Sequence, residues 1–271
     1  MNNQNKIAIL GGGNIGFAIA RGLSSSGKIK KGDILITRRN KTAISDARKE
    51  GFNISTNNVE AVKNSSVIVI AVTPQQLNSL ISEIKNLVNP RRHIIFSIVS
   101  GVSIKQIKKL FGKNIRVVRV MPNTAIAIRE SMTCISSDEK DRRACDLAVE
   151  LFNNLGETIV IKEELMVPAT ALCACGTAFF LRAVRAASQG GIEIGFHAEE
   201  ALFMAAQTAK GAASMLIIDK NHPEREVDKV TTPMGCTIAG LNQMEHHGFS
   251  SSLIKGITVS AEKAKTLYST D

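Results

Sequence analysis

A chain of 271 residues, 44% hydrophobic and 21% charged, can bury a large core in one or two domains and has the composition of a soluble globular protein. Its net charge of +10 would suit nucleic acid, but only 4% of residues are aromatic, with no Trp and one Tyr. Single-strand stacking platforms are therefore disfavoured, and a basic surface that attracts phosphates and carboxylates accounts for the charge.

Along the first half, short β-branched runs alternate with amphipathic stretches. Lys6–Leu10 (KIAIL) reads as a buried strand, followed by glycines and a helix to about Ser26. Asp33–Thr37 is a second strand, Thr42–Glu50 a helix and Asn53–Ser55 a short strand, with the strongly apolar Ser66–Val72 as the fourth. The pattern continues through a helix at Gln75–Val88, a strand at His93–Val99, a helix at Ile104–Leu110 and a strand at Ile115–Val120. A strand at Met132–Ser136, a helix over Asp141–Leu155 and a strand at Thr158–Ile161 complete the domain. Apolar strands alternating with helices predict a doubly wound parallel sheet covered on both faces.

Near Leu165 the texture changes to Ala-rich helices, Thr170–Gln189 and Ala198–Asp219 among them, with Gly190-Gly191 expected to separate two of them. Thr170–Gln189 is apolar around most of its circumference and is expected to be buried in the fold or between subunits. The predicted organisation is an N-terminal dinucleotide-binding domain, 1–164, followed by an all-helical substrate-binding and dimerisation domain, 165–271.

Gly11-Gly12-Gly13-Asn14-Ile15-Gly16 fits G-x-G-x-x-G directly after a strand and at the opening of a helix. Gly11 allows a tight turn, Gly13 close approach to a pyrophosphate and Gly16 close helix–strand packing, while the helix start holds the phosphates. Where NAD sites place a carboxylate at the end of the second strand, this chain has Thr37-Arg38-Arg39-Asn40. Two guanidiniums beside a hydroxyl suit a ribose 2′-phosphate, so NADP(H) is favoured over NAD(H).

A second informative segment is Thr231-Thr232-Pro233-Met234-Gly235-Cys236-Thr237, ahead of a helix from about Thr237 to His246. Thr231 or Thr232 is expected to cap that helix and Pro233 to occupy its first turn, leaving free N–H groups for an anion. This segment resembles the Thr/Ser-Pro-Gly-Gly-x-Thr signature of pyrroline-5-carboxylate reductases. So do Ala71-Val72-Thr73-Pro74, Val120-Met121-Pro122-Asn123-Thr124, and Gly190-Gly191 with Gly195, over nearly the whole chain.

The resemblance implies reduction of the cyclic imine Δ1-pyrroline-5-carboxylate to L-proline with NAD(P)H, the last step of proline biosynthesis. It further implies a homodimer through the helical domain, in a family whose dimers often assemble further. It puts the substrate carboxylate on Gly235, Cys236 and Thr237 with Thr232 beside them, and the Thr237 hydroxyl on the ring nitrogen as the catalytic contact. It places Asn58, Ala71, Val72, Thr73, Pro74, Met121, Asn123 and Glu163 along the cofactor. The chain departs from the family pattern at Thr73, where Lys is common, and at Met234, where a glycine is usual. It carries Cys173-Ala174-Cys175-Gly176-Thr177-Ala178-Phe179 in place of Ser-Gly-Ser-Gly-Pro-Ala-Tyr, and Arg185 in place of an acid.

Two alternatives follow from those departures: an NADP-dependent imine reductase with another ring substrate, and a non-catalytic NADP-binding regulatory protein. A 3-hydroxy-acid dehydrogenase is disfavoured because no lysine lies between Leu165 and Ala209. His246-His247 reads as a solvated helix end, His197 as a helix start, and Met204 and Met215 as core packing. Cys134, Cys145, Cys173, Cys175 and Cys236 form no C-x-x-C pair, so no zinc site or disulfide framework is expected, and each reads as a small buried hydrophobe. No uninterrupted apolar run approaches the ~18 residues of a membrane span, and the polar Met1–Asn5 is followed by too short an apolar stretch for a signal peptide. A cytoplasmic protein binding a small imine, with neither nucleic acid nor membrane as partner, is the expectation.

Overall fold

The computed structural model describes residues 6–39, 48–112 and 114–267, so most of the helix expected over Thr42–Glu50 lies outside the described residues. Two compact units make up the chain: Met1–Cys175 with Ser260–Asp271, and Gly176–Val259.

The first unit is built on eight strands: β1 (Ile7–Leu10), β2 (Ile34–Thr37), β3 (Asn53–Ser55), β4 (Val67–Ile70), β5 (Ile94–Ser97), β6 (Arg116–Met121), β7 (Ser131–Ser137) and β8 (Gly156–Val160). Their order in the sheet is β3-β2-β1-β4-β5-β6-β7-β8. Strands β1 to β6 are parallel, in register Ile9 with Ile36 and Val69, and Val69 with Phe96. Among them run α1 (Asn14–Ser25), α2 (Asn58–Lys63), α3 (Pro74–Ile84) and α4 (Ile104–Phe111), with α5 (Arg142–Phe152) later in the unit.

Alternation along β1 explains its wholly apolar sequence. Ile7 and Ile9 enter a core with Phe17, Ile19 and Leu23 of α1, whereas Ala8 and Leu10 enter another with Leu77, Ile81 and Ile84 of α3. Each fully buried Ile or Leu stabilises the fold by about 1.5–3 kcal/mol relative to exposure. The four strands β1, β2, β4 and β5 are thus clad on both sides, as a parallel sheet requires.

One expectation of the parallel reading is corrected at β7, which runs antiparallel to β6, with Met121 opposite Cys134. The link between them holds only the short 3-10 turn Thr124–Ile128, too little chain for the crossover that a parallel pair needs. β8 then pairs parallel with β7 and closes that edge. The short α6 (Met166–Ala169) and a π-helical turn, Thr170–Cys175, end the unit's main run.

The second unit is helical: α7 (Gly176–Glu193), α8 (Ala198–Asp219), α9 (Pro223–Lys229), α10 (Cys236–His246) and the first part of α11 (Phe249–Lys265). Gly190-Gly191 does not divide two helices, because α7 runs through both. Its stop is Gly195, at φ +109°, where a left-handed backbone releases the chain. Gly191 instead permits close packing: a Cβ there would lie 3.0 Å from the Cβ of Ala201 in α8. His197 is the N-cap of α8, its N–H donating to the Glu200 carboxylate at 3.2 Å.

This unit has little interior of its own. Met204 and Met215, expected in a core, are each 39% exposed, and Phe180, Leu181, Phe203, Ile217 and Ile218 are 62–74% exposed. Helical segments 163–193 and 198–219 reach mean hydropathies of 1.6 and 1.4, long and apolar enough by length and composition to cross a membrane. Scattered charges such as Arg182 and Arg185 break the apolar run without removing the apolar average, so a search for uninterrupted runs passes over both helices.

Candidate active site

The sheet order reverses between β1 and β4, and there the strand ends open a crevice, the usual ligand position in a doubly wound fold. Three glycines of the loop after β1 show three separate constraints. Gly11 has φ +119°, and a Cβ on it would sit 2.3 Å from the Ala71 carbonyl oxygen. A Cβ on Gly16 would lie 2.1 Å from the Gly11 carbonyl oxygen, so α1 meets the loop backbone directly. Around Gly13 a Cβ would meet nothing within 4 Å, leaving open space where a phosphate must approach. The Gly11 and Gly12 N–H groups are spent on the Thr37 carbonyl, at 3.2 and 2.7 Å, fixing the loop against β2.

Gly13 is the N-cap of α1 and offers no side chain, so the first N–H groups, at Asn14, Ile15 and Gly16, face the loop uncapped. The neighbouring helix α2 is closed differently: Asn57 accepts from the Glu60 N–H. In α4, Ser103 and Gln106 form a reciprocal capping box. α3 starts at Pro74 after Thr73, whose side chain makes no cap bond.

A cleft of about 530 Å³ brings together Gly11, Gly13, Thr37, Arg38, Arg39, Asn58, Ala71, Val72 and Thr73, all expected from the sequence. The Arg38 guanidinium stands 5.8 Å from the Phe17 ring centroid, a contact that holds the half-buried side chain over the start of α1. Arg39 is exposed beside it. These residues fit a dinucleotide: an open glycine loop for pyrophosphate, and two cations with Thr37 at the end of β2 and no carboxylate there.

The cleft also holds Thr56, Gln76, Ser79 and Glu83, which the sequence reading missed. Gln76, Ser79 and Glu83 are spaced i, i+3, i+7 on α3, opposite buried Leu77, Ile81 and Ile84, and that polar stripe was the available signal. Glu83 accepts from Asn58 Nδ2 at 2.8 Å and so orients the predicted Asn58 amide.

Met121, Asn123 and Glu163 belong to the same unit but do not line this cleft. Met121 is buried at the end of β6. The Asn123 side chain accepts from the Ala125 N–H at 3.0 Å and donates to the Cys173 carbonyl at 3.3 Å. Glu163 accepts from the Ile104 N–H at 2.6 Å, at the start of α4, and pairs with Arg119 at 3.5 Å. Burial pulls the Arg119 guanidinium below its ordinary pKa, with Glu163 opposing that.

In the helical unit, the loop before α10 departs from the expected capping. Gly235 is the N-cap, and neither Thr231 nor Thr232 plays that part. Thr231 instead closes α9, its hydroxyl donating to the Val227 carbonyl at 2.8 Å. Thr232-Pro233-Met234-Gly235 is a tight turn, with the Gly235 N–H donating to the Thr232 carbonyl at 2.9 Å. Pro233 therefore sits in the turn and not in the helix. A Cβ on Gly235 would meet the Thr232 hydroxyl oxygen at 2.5 Å. With no side-chain cap, the early N–H groups of α10, including Cys236 and Thr237, are open to an anion.

His246 and His247 are exposed at the end of α10, their rings edge-on with centroids 5.3 Å apart. Among the described residues no group of three His, Cys, Asp or Glu side chains could hold a metal. The cysteines correct their uniform expectation: Cys134 and Cys145 are buried, Cys173 and Cys175 are half-buried, and Cys236 is exposed.

Two family models match the chain. The one described as pyrroline-5-carboxylate reductase dimerisation covers residues 163–267. The one described as NADP oxidoreductase coenzyme F420-dependent covers residues 6–101. Pyrroline-5-carboxylate reductase 1 of Dictyostelium discoideum is 51% identical over 98% of this chain, and the chain spans 50% of that protein's length. Pyrroline-5-carboxylate reductase 2 of the same organism is 48% identical, over 97% of this chain and 93% of that protein. A crystal structure of Plasmodium falciparum pyrroline carboxylate reductase with NADP bound superposes with a TM-score of 0.88 at 25% identity, covering 99% of this chain and all of the other. A pyrroline-5-carboxylate reductase structure from Coxiella burnetii gives 0.85 at 27%, with the same coverage.

Proposed function

This chain belongs to the pyrroline-5-carboxylate reductase family, and from that premise we propose that it reduces Δ1-pyrroline-5-carboxylate to L-proline, with NADPH as the favoured reductant. The observation that carries the proposal is the pair of uncapped helix starts: Gly13 before α1 for the dinucleotide phosphates, and Gly235 before α10 for the substrate carboxylate. Functionally, residues 1–164 serve the cofactor, and residues 165–271 serve the substrate and a homodimer contact that covers the exposed apolar helices. Dimers assemble further on this reading, and the enzyme works in the cytoplasm without nucleic-acid or membrane partners.

When bound, the nicotinamide supplies the hydride. What the chain must do is position and polarise. The backbone at Gly235, Cys236 and Thr237 holds the carboxylate: the Cys236 and Thr237 N–H groups donate to it, while the Gly235 N–H is taken by the Thr232 carbonyl in the turn that sets the helix start. The Thr237 hydroxyl, half-buried in the first turn of α10, hydrogen-bonds the ring nitrogen. A protonated imine is already electrophilic, so this contact orients the C=N bond and a strong acid is unnecessary. Water is the final proton source. On the cofactor side, Gly11, Gly13, Asn14, Ile15 and Gly16 take the pyrophosphate, and Thr37, Arg38 and Arg39 the 2′-phosphate. Asn58, Ala71, Val72, Thr73, Pro74, Met121, Asn123 and Glu163 extend along the remainder.

The test uses purified full chain, NADPH and pyrroline-5-carboxylate, with the nicotinamide absorbance followed over time. Steady NADPH oxidation with proline as product supports the proposal. Protein that binds NADPH yet leaves it unoxidised with this substrate overturns it. Oxidation seen only with a six-membered cyclic imine would favour a different ring, which the Met234 and Cys173–Phe179 departures would then explain.

A further inference from the structure

Two sulfurs 39 residues apart in sequence meet in the α/β unit. Cys134, in β7, is 3% exposed, and Cys173, in the π-helical turn, is half-buried; their Sγ atoms are 3.8 Å apart. Buried Met121, Met166 and Ala169 surround them. Hydrogen bonding from Cys134 holds the Cys173 thiol down to about 7, against burial, which raises it. The same bond, with burial, raises the Cys134 thiol above its ordinary value. Cys173 is therefore both the more accessible sulfur and the better nucleophile, with Cys134 seated behind it to resolve the product.

We propose that Cys134 and Cys173 form a redox-modification site, which a peroxide converts into an intrachain disulfide. The Cys173 thiolate attacks one oxygen of hydrogen peroxide; the O–O bond breaks, hydroxide leaves and takes up a proton as water, and Cys173 becomes a sulfenic acid. Cys134 sulfur then attacks the sulfenic sulfur, the S–O bond breaks, and the departing hydroxide takes the Cys134 proton as a second water. Two thiols are oxidised and one peroxide is reduced to two waters.

Closing the bond brings the sulfurs from 3.8 Å to about 2.05 Å. The π-helical turn is the natural part to give, because such wide turns are local interruptions of a regular helix. It carries the Cys173 carbonyl that Asn123 Nδ2 holds, so the bond pulls on the turn after β6. Turnover is expected to fall about tenfold or more through that displacement. This consequence rests on the reductase reading; formation of the bond does not.

The full chain is treated with hydrogen peroxide, digested without reductant and analysed by mass spectrometry, with turnover measured in parallel before oxidation, after it, and after dithiothreitol. A linked peptide joining Cys134 to Cys173, lighter by two hydrogens, and a loss of turnover reversed by dithiothreitol are expected. Cys134→Ala should keep its initial turnover, form no link and yield a trappable sulfenic acid at Cys173. Cys173→Ser should form neither. Oxidation confined to exposed Cys236, or a Cys173–Cys175 link, overturns the site, and a Cys134–Cys173 link with unchanged turnover overturns its regulatory effect. Absence of turnover in the untreated protein instead speaks against the reductase reading and leaves the mass result standing.

Discussion

The α/β unit and the helical unit are both rich in aliphatic residues, yet only the first closes on itself. Its strands enter cores on both faces, with Ile9, Ile36, Ile68 and Ile70 wholly buried. In the helical unit, Ala201 is the one apolar side chain of the buried core, whereas Phe203, Ile218 and Ile254 stand 72%, 74% and 62% exposed. Exposed apolar surface on this scale marks a surface meant to be covered. Hydrophobicity alone thus does not tell an interior from an interface. The two patterns separate only once each element's neighbours are known.

Breaking the second region should have the largest effect. Phe203→Glu puts a charge on an apolar helix face and should weaken the homodimer at least 100-fold, about 2.7 kcal/mol. Sedimentation would show the change, while NADPH binding to the α/β unit should persist. An unchanged dimer would remove Phe203 from the interface. The first region should fail differently. Gly11→Ala combines φ +119° with a Cβ 2.3 Å from the Ala71 oxygen. It should cost about 2–3 kcal/mol in thermal or denaturant unfolding and abolish NADPH binding, with no direct effect on the helical face.

The α/β unit was legible because each of its signals is local. Alternation of strand and helix, the glycine spacing and the missing carboxylate after β2 all lie within a few residues of what they specify. The antiparallel β7 was not, because strand direction depends on the length and winding of the Thr124–Ile128 connection. The polar face of α3 was missed for a related reason: Gln76, Ser79 and Glu83 become a site only when α3 lies beside the glycine loop. In the helical unit, Gly190-Gly191 carried the composition of a break but serves helix packing. Thr231 and Thr232 had the chemistry of caps, but the turn at Pro233 moves the helix start on to Gly235. The contact between Cys134 and Cys173 has no sequence signal at all, since 39 residues separate them.

A smaller change sharpens the cofactor assignment. Replacing Arg38 and Arg39 with alanine should weaken NADPH about 10- to 100-fold, about 1.4–2.7 kcal/mol, and leave NADH within a factor of about two. Fluorescence titration of both nucleotides measures this. Equal losses for the two would detach the arginines from the 2′-phosphate.

The smallest expected effect lies where the helical unit departs from its own family. Met234 has φ +58°, in a turn with Pro233 ahead of it, a geometry that wants glycine at the third position. Its side chain is fully exposed, so no packing offsets the left-handed backbone. Met234→Gly should relieve about 1 kcal/mol of strain, partly opposed by the added freedom of glycine in the unfolded chain. The net gain in chemical unfolding should therefore stay under about 1 kcal/mol. The side chain also stands one residue from the Gly235 N-cap. A rise in substrate affinity with unchanged NADPH affinity would mean that Met234 narrows the carboxylate site. Improved stability with unchanged affinity would confine the methionine's cost to the turn, leaving the Cys236 and Thr237 amides indifferent to what precedes them.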